Sequence, residues 1–593
     1  MYRILSVVVL LWAVVFLVFN ENPVPPLDVM RQIIWVWSGT FVCVASLMGL
    51  GKLTAWGFRS DRIRWDIAMV TGLGSAAVLL LVIVLAGWWS GFTIGALLLL
   101  GLACLFVPTV IEWPQIDSYA WILITGTACW TMLDALAPCV DTDALYYHLA
   151  LAKQISIRGS LIGGFLEPNG SRPMMLHLLY SLSYTLVGEQ SPAVLHWLLS
   201  LSLLVSVTER SKGGIWAVLF LVSSWSFIQE MGIVSNNLPA AFALFLVFIC
   251  VEEKKYRFAV VLAFVALSIK LTVIGVLAGI WVFCVSTVKI RMWILVATLL
   301  LFSVWPLRNV WDGLHPLFPY MGWDEPFQYV EKYGMGRRIK DMLLLPWNVM
   351  MHATPNTHIF QGKLNPIVFV AVFFTFALHK RWIALVCFSL FFWAMGPQWI
   401  RHLLMVLPIL GYMFARTMVS APMELRGAVF VCILFGLPGN WGPLLARWSE
   451  AWTVVSGQVP REEFQEEHIP GFQALHWADR KLPKDAVLDL FYVWGGSVLN
   501  RPYRLSSVED HIPVRSWIRK HGDDSIDKLN TEFLIVGKPA ISYKKYSFLS
   551  KEVYEKEFEA PIAKLEELLL KQSVLVYTAK GYRVYRVKKS VDN

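Results

Sequence analysis

The chain has 593 residues, of which 57% are hydrophobic, 16% charged and 14% aromatic. Soluble domains carry roughly 45–50% apolar and about 25% charged residues. A mean hydropathy of +0.57 therefore excludes a water-soluble enzyme, a disordered chain, a fibrous repeat and a disulfide-stapled scaffold. The net charge of +9 belongs to the loops of a membrane protein and not to a nucleic-acid interface, because no basic run interleaves with aromatics on a polar stretch.

Taken in chain order, the first apolar run is Ile4 to Phe19. No small-residue cleavage site follows it, so it reads as an uncleaved first helix. Further runs predict spans at Ile33–Leu50, Ile67–Trp88, Phe92–Ile111 and Trp121–Leu136. A polar stretch, Pro138 to Pro173, comes next. Spans resume at Pro192–Val207, Ile215–Ile228, Leu238–Val251, Phe258–Ile269, Leu271–Val288 and Met292–Leu307. A second long loop, Arg308 to Lys363, precedes four more runs: Pro366–Leu378, Trp382–Met395, Leu403–Ala415 and Ala428–Leu437. The expected fold class is a polytopic α-helical membrane protein of about fifteen spans.

Charge sets direction. Basic residues gather in six short loops: Lys52 to Arg64, Arg210 with Lys212, Lys254 to Arg257, Lys289 with Arg291, His379 to Arg381, and Arg416 with Arg426. All six lie inside the cell only if the amino terminus does as well. Loops 138–173 and 308–363 and the carboxy-terminal region then fall outside. The assignment also requires that Met174–Val187 not cross. That run is shorter than the roughly 17 residues a crossing needs, and it is expected to be a juxtamembrane or re-entrant helix shielded by protein.

After about Gly439 the composition shifts, giving a division into residues 1–118 (extra spans), 119–438 (core with its external loops) and 439–593 (a soluble extracytoplasmic α/β domain). Within the last, Ala486–Val493 and Phe533–Val536 read as strands and Ser506–Lys520 as a helix. Lys551–Gln572 reads as an amphipathic helix, with a hairpin of Val574–Tyr577 and Tyr582–Val587 across Lys580-Gly581.

The chemistry concentrates at membrane boundaries. Asp141 and Asp143 open a helix at the outer surface, where a carboxylate can take a proton from an incoming hydroxyl or amine. The pair also suits a divalent cation, and equally the capping of a helix. The following Ala144–Ile157 stretch, with Tyr147 and His148, is amphipathic and expected to lie along the interface. Lys270, Arg308 and Arg401 with its neighbour His402 stand on the face that the charge rule leaves acidic or neutral. Arg suits bidentate phosphate binding. Asp134, inside the fifth span, either serves the site or pairs with Lys270 or a Tyr.

These residues resemble a known group. An Asp pair late in a span, Tyr-Tyr-His, a surface helix, Gly159, Pro173 and a short apolar helix ending in Val187-Gly188 are similar to the opening of the GT-C superfamily of integral-membrane glycosyltransferases. The branch is the one holding protein O-mannosyltransferases and the lipid A aminoarabinose transferase. Ser268-Ile269-Lys270-Leu271-Thr272, Pro306-Leu307-Arg308-Asn309 with His315-Pro316-Leu317-Phe318-Pro319, and Arg401-His402-Leu403-Leu404 with Pro408 carry it further. The resemblance implies a sugar donor on polyprenyl phosphate and a lipid, glycan or protein acceptor at the outer face of a bacterial plasma membrane. It implies Asp143 as general base with Asp141 beside it, inversion at the anomeric carbon, and Arg308, Arg401 and Lys270 on the donor phosphate. The chain departs from the group in its four preceding spans and in Ala144, where the better-known branches carry Glu, which weakens the carry-over of a metal site. The alternatives are a polysaccharide polymerase or ligase using lipid-linked sugar, and a secondary transporter. For the latter no repeat between halves is visible.

Overall fold

The computed structural model describes residues 27–323, 331, 333–354, 359–375, 380–505, 512–539 and 543–588. The expected first helix, Ile4–Phe19, lies outside the described residues, as do residues 376–379 and 506–511. The rest is mostly helical, and every later apolar run contains helix.

Five helices are long and apolar enough to cross a membrane unaided: Asp28–Gly57, Trp65–Leu85, Ser191–Ser211, Val288–Trp311 and Met423–Val455. Shorter apolar helices stand between them at Gly91–Phe106, Met175–Val187, Asn237–Glu252, Tyr256–Ile269 and Leu271–Cys284. The expected span Ile215–Ile228 is not straight. Gly214–Val222 and Trp225–Gly232 meet at 85°. The amides freed at the bend are satisfied from elsewhere, since Trp225 N–H donates to Asn440 Oδ1 at 3.1 Å and Ser226 N–H to the Lys363 carbonyl at 3.1 Å. A break at such a place survives only because protein groups replace the lost helical bonds.

The two leading helices pack backbone to backbone. A Cβ on Gly51 would sit 1.9 Å from the Ala68 carbonyl oxygen, and one on Gly72 would sit 1.8 Å from that of Leu47. Small residues allow helices to approach this closely where no hydrophobic force acts between them.

Met175–Val187 is 13 residues long and lined with buried side chains. At 1.5 Å per residue it reaches only about 20 Å, short of a roughly 30 Å hydrocarbon core. Protein surrounds it, as its Ser and Tyr content requires.

The carboxy-terminal unit is built on a five-stranded sheet. A separate two-stranded ladder, β1 (Arg62–Arg64) with β2 (Val110–Glu112), ties the first loops together. The sheet comprises β3 (Leu488–Phe491), β4 (Tyr503–Leu505), β5 (Phe533–Val536), β6 (Ser573–Ala579) and β7 (Tyr582–Val587), in the order β4-β3-β5-β7-β6. β3 runs parallel to β4 and β5, and the β6–β7 hairpin closes antiparallel on β5. β3 and β5 are buried throughout, as strands covered on both faces must be. β4 is an addition to the expected strands. The long amphipathic helix expected over Lys551–Gln572 contains a π-helical turn, Glu555–Glu559. One helix, Met423–Val455, runs straight through Gly439, where the composition changes.

The stretch after Asp143 departs from the expectation in what its polar side meets. A π-helical turn, Ala144–His148, leads into the helix Leu149–Arg158, and protein covers both over most of their length. Both are buried between the apolar helices and the carboxy-terminal unit. Lys153 Nζ donates to the Ser497 carbonyl at 2.7 Å, and Gln154 Nε2 to the Arg501 carbonyl at 2.9 Å. Tyr503 N–H donates to Gln154 Oε1 at 3.1 Å, and Arg158 donates to the Tyr503 carbonyl. The polar side of the amphipathic pattern faces protein carbonyls and not water.

Candidate active site

Pro138 ends the fifth helix by forcing Ala137 into an extended conformation (φ −67°, ψ 156°). The chain then presents its two acids in different ways. Asp141 Oδ1 accepts from Asp143 N–H at 3.1 Å, and the Asp141 carbonyl accepts from Leu145 N–H at 2.9 Å. Asp141 therefore starts the helix, which is the capping role. Asp143 makes no such cap. Its Oδ2 accepts from Arg401 Nη1, 258 residues away in sequence. Burial, and then the charge of Asp143, push the Asp141 carboxyl up to about 6.

Arg401 stands in the short helix Ile400–Leu403, with its guanidinium over the Trp399 ring at 4.0 Å. Lys270 closes the helix Tyr256–Ile269 and donates to Asn236 Oδ1 at 3.2 Å and to Asn237 Oδ1. Asn237 in turn donates to Glu230 Oε2 at 2.8 Å, and Ser235 Oγ donates to the same oxygen at 2.5 Å. Lys270 lies within the electrostatic reach of Arg401, Glu230, Asp143 and Arg172. Asp143, Arg401 and Lys270 thus come together from three distant segments.

Arg308 joins this group at one remove. Its Nη2 donates to Asn309 Oδ1 at 2.9 Å and to the Arg172 carbonyl at 3.5 Å, while its Nε and Nη1 are buried without a hydrogen-bond partner. The Arg172 guanidinium sits over the ring of Tyr147 at 5.6 Å. Tyr147 packs on His148 with ring centroids 3.8 Å apart, and His148 Nδ1 meets His177 Nε2 at 3.1 Å. His402 rests edge-on against Trp399 at 5.3 Å.

Asp134 belongs elsewhere. It pairs neither with Lys270 nor with a Tyr. Its Oδ1 accepts from Arg447 Nε at 2.9 Å and its Oδ2 from Trp448 Nε1 at 3.2 Å, both on the helix Met423–Val455. The bond locks the fifth helix to that late helix. Among the described residues no group of three or more His, Cys, Asp or Glu could hold a metal ion. Asp141 and Asp143 are the available oxygen donors, and Arg401 already engages one of them.

No family model and no curated protein sequence matches the chain. Two solved structures of ArnT from Cupriavidus metallidurans are similar to it in shape. The one bound to undecaprenyl phosphate is 12% identical with a TM-score of 0.47, over 79% of this chain and 98% of that one. The apo structure is also 12% identical with a TM-score of 0.47, over 78% and 97%. At that score the likeness carries no assignment of activity.

Four residues of the site lay beyond sequence reasoning. Arg172, Glu230, Asn236 and Asn237 sit in segments that read as an ordinary loop or as the ends of spans. Glu230 had a signal, since an acid two residues past the end of the run Ile215–Ile228 is costly at that depth unless it has partners.

Proposed function

We propose that the chain is a membrane glycosyltransferase. It moves a sugar from a polyprenyl-phosphate donor to an acceptor at the outer face of the membrane, with inversion. The observation that carries the reading is the meeting of Asp143 with Arg401, with Lys270 close by. A general base needs hydrogen-bond reach to the attacking group, and a departing phosphate needs fixed cations where its charge develops. In the resting state Arg401 holds Asp143 oriented. An arriving phosphate draws the guanidinium to itself and frees the carboxylate to take the acceptor's proton. Lys270, held by Asn236 and Asn237, and Arg308, with two nitrogens to spare, complete the anion site. Asp141 fixes the backbone that presents Asp143. A divalent ion at Asp141 and Asp143 would add charge stabilisation beside Arg401.

Asp143→Asn keeps the shape and removes the base. In proteoliposomes loaded with a polyprenyl-phosphate sugar, transfer is expected to fall by roughly 10²–10⁴-fold, the usual contribution of a positioned base. Unchanged transfer would overturn the assignment of Asp143. Solute uptake without consumption of the lipid-linked sugar would replace the whole reading with that of a transporter. Titrating the same assay with EDTA tests the metal.

A further inference from the structure

On the face opposite the candidate active site, three of the basic loops that report orientation converge on a single cavity of about 660 Å³. Arg59 comes from the first loop, Lys254, Lys255 and Arg257 from the second, and Lys289 from the third. Phe58, Tyr256, Phe258 and Trp293 supply the apolar part of the lining. Phe58 and Phe258 meet edge to face at 5.2 Å and join two of the loops. No Asp or Glu lines the cavity. Of the carboxylates adjacent in sequence to lining residues, Glu253 is taken by Arg210 at 2.8 Å and by Lys255 at 2.7 Å, and Asp61, next to Ser60, is exposed and lies outside the lining. Glu252 is held by Arg381 at 2.7 Å. Among the described residues Arg59, Lys254, Arg257 and Lys289 have no carboxylate partner.

Sidedness requires that cations lie on this face, but it does not require them to surround one hollow with an aromatic wall. Like charges brought together unpaired repel, so the arrangement stores a need for an anion. Its depth is that of a headgroup, because Lys289 and Trp293 stand in the first turns of Val288–Phe302 and the outer side of that helix is apolar and exposed. We infer that this cavity binds the phosphate headgroup of an anionic phospholipid in the cytoplasmic leaflet. The cations take the phosphate, and Trp293 with Ile290 lies along the start of the acyl chains. Basic pockets between helices on this side are suited to such headgroups. The inference is independent of the sugar-transfer reading.

The full chain, purified in detergent, is titrated with phosphatidylglycerol and separately with phosphatidylcholine, and bound lipid is counted by native mass spectrometry. Phosphatidylglycerol is expected to bind more tightly. Each cation removed weakens it about fivefold, so the pair Arg59→Gln with Lys289→Gln loses roughly 25-fold. Lys254→Gln with Arg257→Gln, on a different loop, is expected to lose as much. Lys212→Gln with Lys380→Gln removes two exposed cations outside the cavity and is expected to change nothing. Equal binding of the two lipids overturns the inference, as does an equal loss in all three pairs. Displacement of the lipid by equimolar inorganic phosphate also overturns it, by making the cavity a site for free phosphate.

Discussion

Arg447→Met tests how the fifth helix is held. The Asp134 side chain is 2% exposed and that of Arg447 is 29%. The substitution leaves a buried carboxylate facing a single indole N–H. Removing one partner of a buried pair costs about 3–5 kcal/mol, and the partial exposure of Arg447 places this case near the lower end, at about 3 kcal/mol. Asp134→Leu alone costs less, about 1–2 kcal/mol, because the orphaned guanidinium keeps access to water. Replacing both leaves two apolar side chains beside the Trp130–Trp448 stack, whose centroids are 5.4 Å apart. The double variant removes both charges and leaves only the buried Trp448 indole N–H without its acceptor, so it is expected to cost about 1–2 kcal/mol. The coupling is thus at least about 2 kcal/mol. Equilibrium unfolding in mixed micelles of mild detergent and SDS, followed by circular dichroism, measures it. Costs that simply add to within about 0.5 kcal/mol would refute the pair as a structural bond.

Three further outcomes are expected. Transfer should rise with pH about a midpoint near 6, where the Asp141 carboxyl ionises and holds the Asp143 N–H more firmly; Asp141→Asn lacks the titrating group and abolishes that limb, and a limb still centred near 6 in the variant contradicts the assignment. Because the Asp141 value is raised from 3.8, the folded state holds a proton that the unfolded chain has lost, so this group's contribution to stability falls as pH rises toward about 6 and is constant above it. Gly72→Ala drives a methyl into the Leu47 carbonyl and should cost about 1–3 kcal/mol in the same micelle titration. Lys153→Met unpairs the Ser497 carbonyl; limited proteolysis should then cut the carboxy-terminal unit faster, and unchanged cleavage would show that the bond does not hold it.

The parts legible in the sequence are those that a period or a length encodes. Apolar runs mark the helices, alternation marks β3, and a short continuous apolar run marks β5. Too few residues mark Met175–Val187 as a helix short of a crossing's usual length. The out-of-place charges Asp143, Lys270 and Arg401 draw attention one by one and meet in space. What failed is what depends on the partner. Ala144–Ile157 has the pattern of an interfacial helix, and no local signal says that its polar side is matched by carbonyls some 345 residues later. Asp134 gave the signal of a buried acid, but its partner Arg447 sits beyond the change of composition and reads as part of a soluble domain. The 85° bend at Ser223-Ser224 is set by Asn440 and Lys363, and no residue within the run announces it.

The bonds from Lys153 and Gln154 span 344 and 347 residues. The loop carrying Asp143 is therefore made well before the segment that covers it. At roughly 5–20 residues per second, synthesis leaves the loop uncovered for on the order of 20–70 s. During that interval the spans enter the bilayer while the helix bearing Lys153 waits on an unfinished chain. The carboxy-terminal unit must fold before its carbonyls can dock. A nascent chain stalled after its last apolar helix is therefore anchored and oriented but not closed around its acids, and completion of the site becomes a late checkpoint in biogenesis.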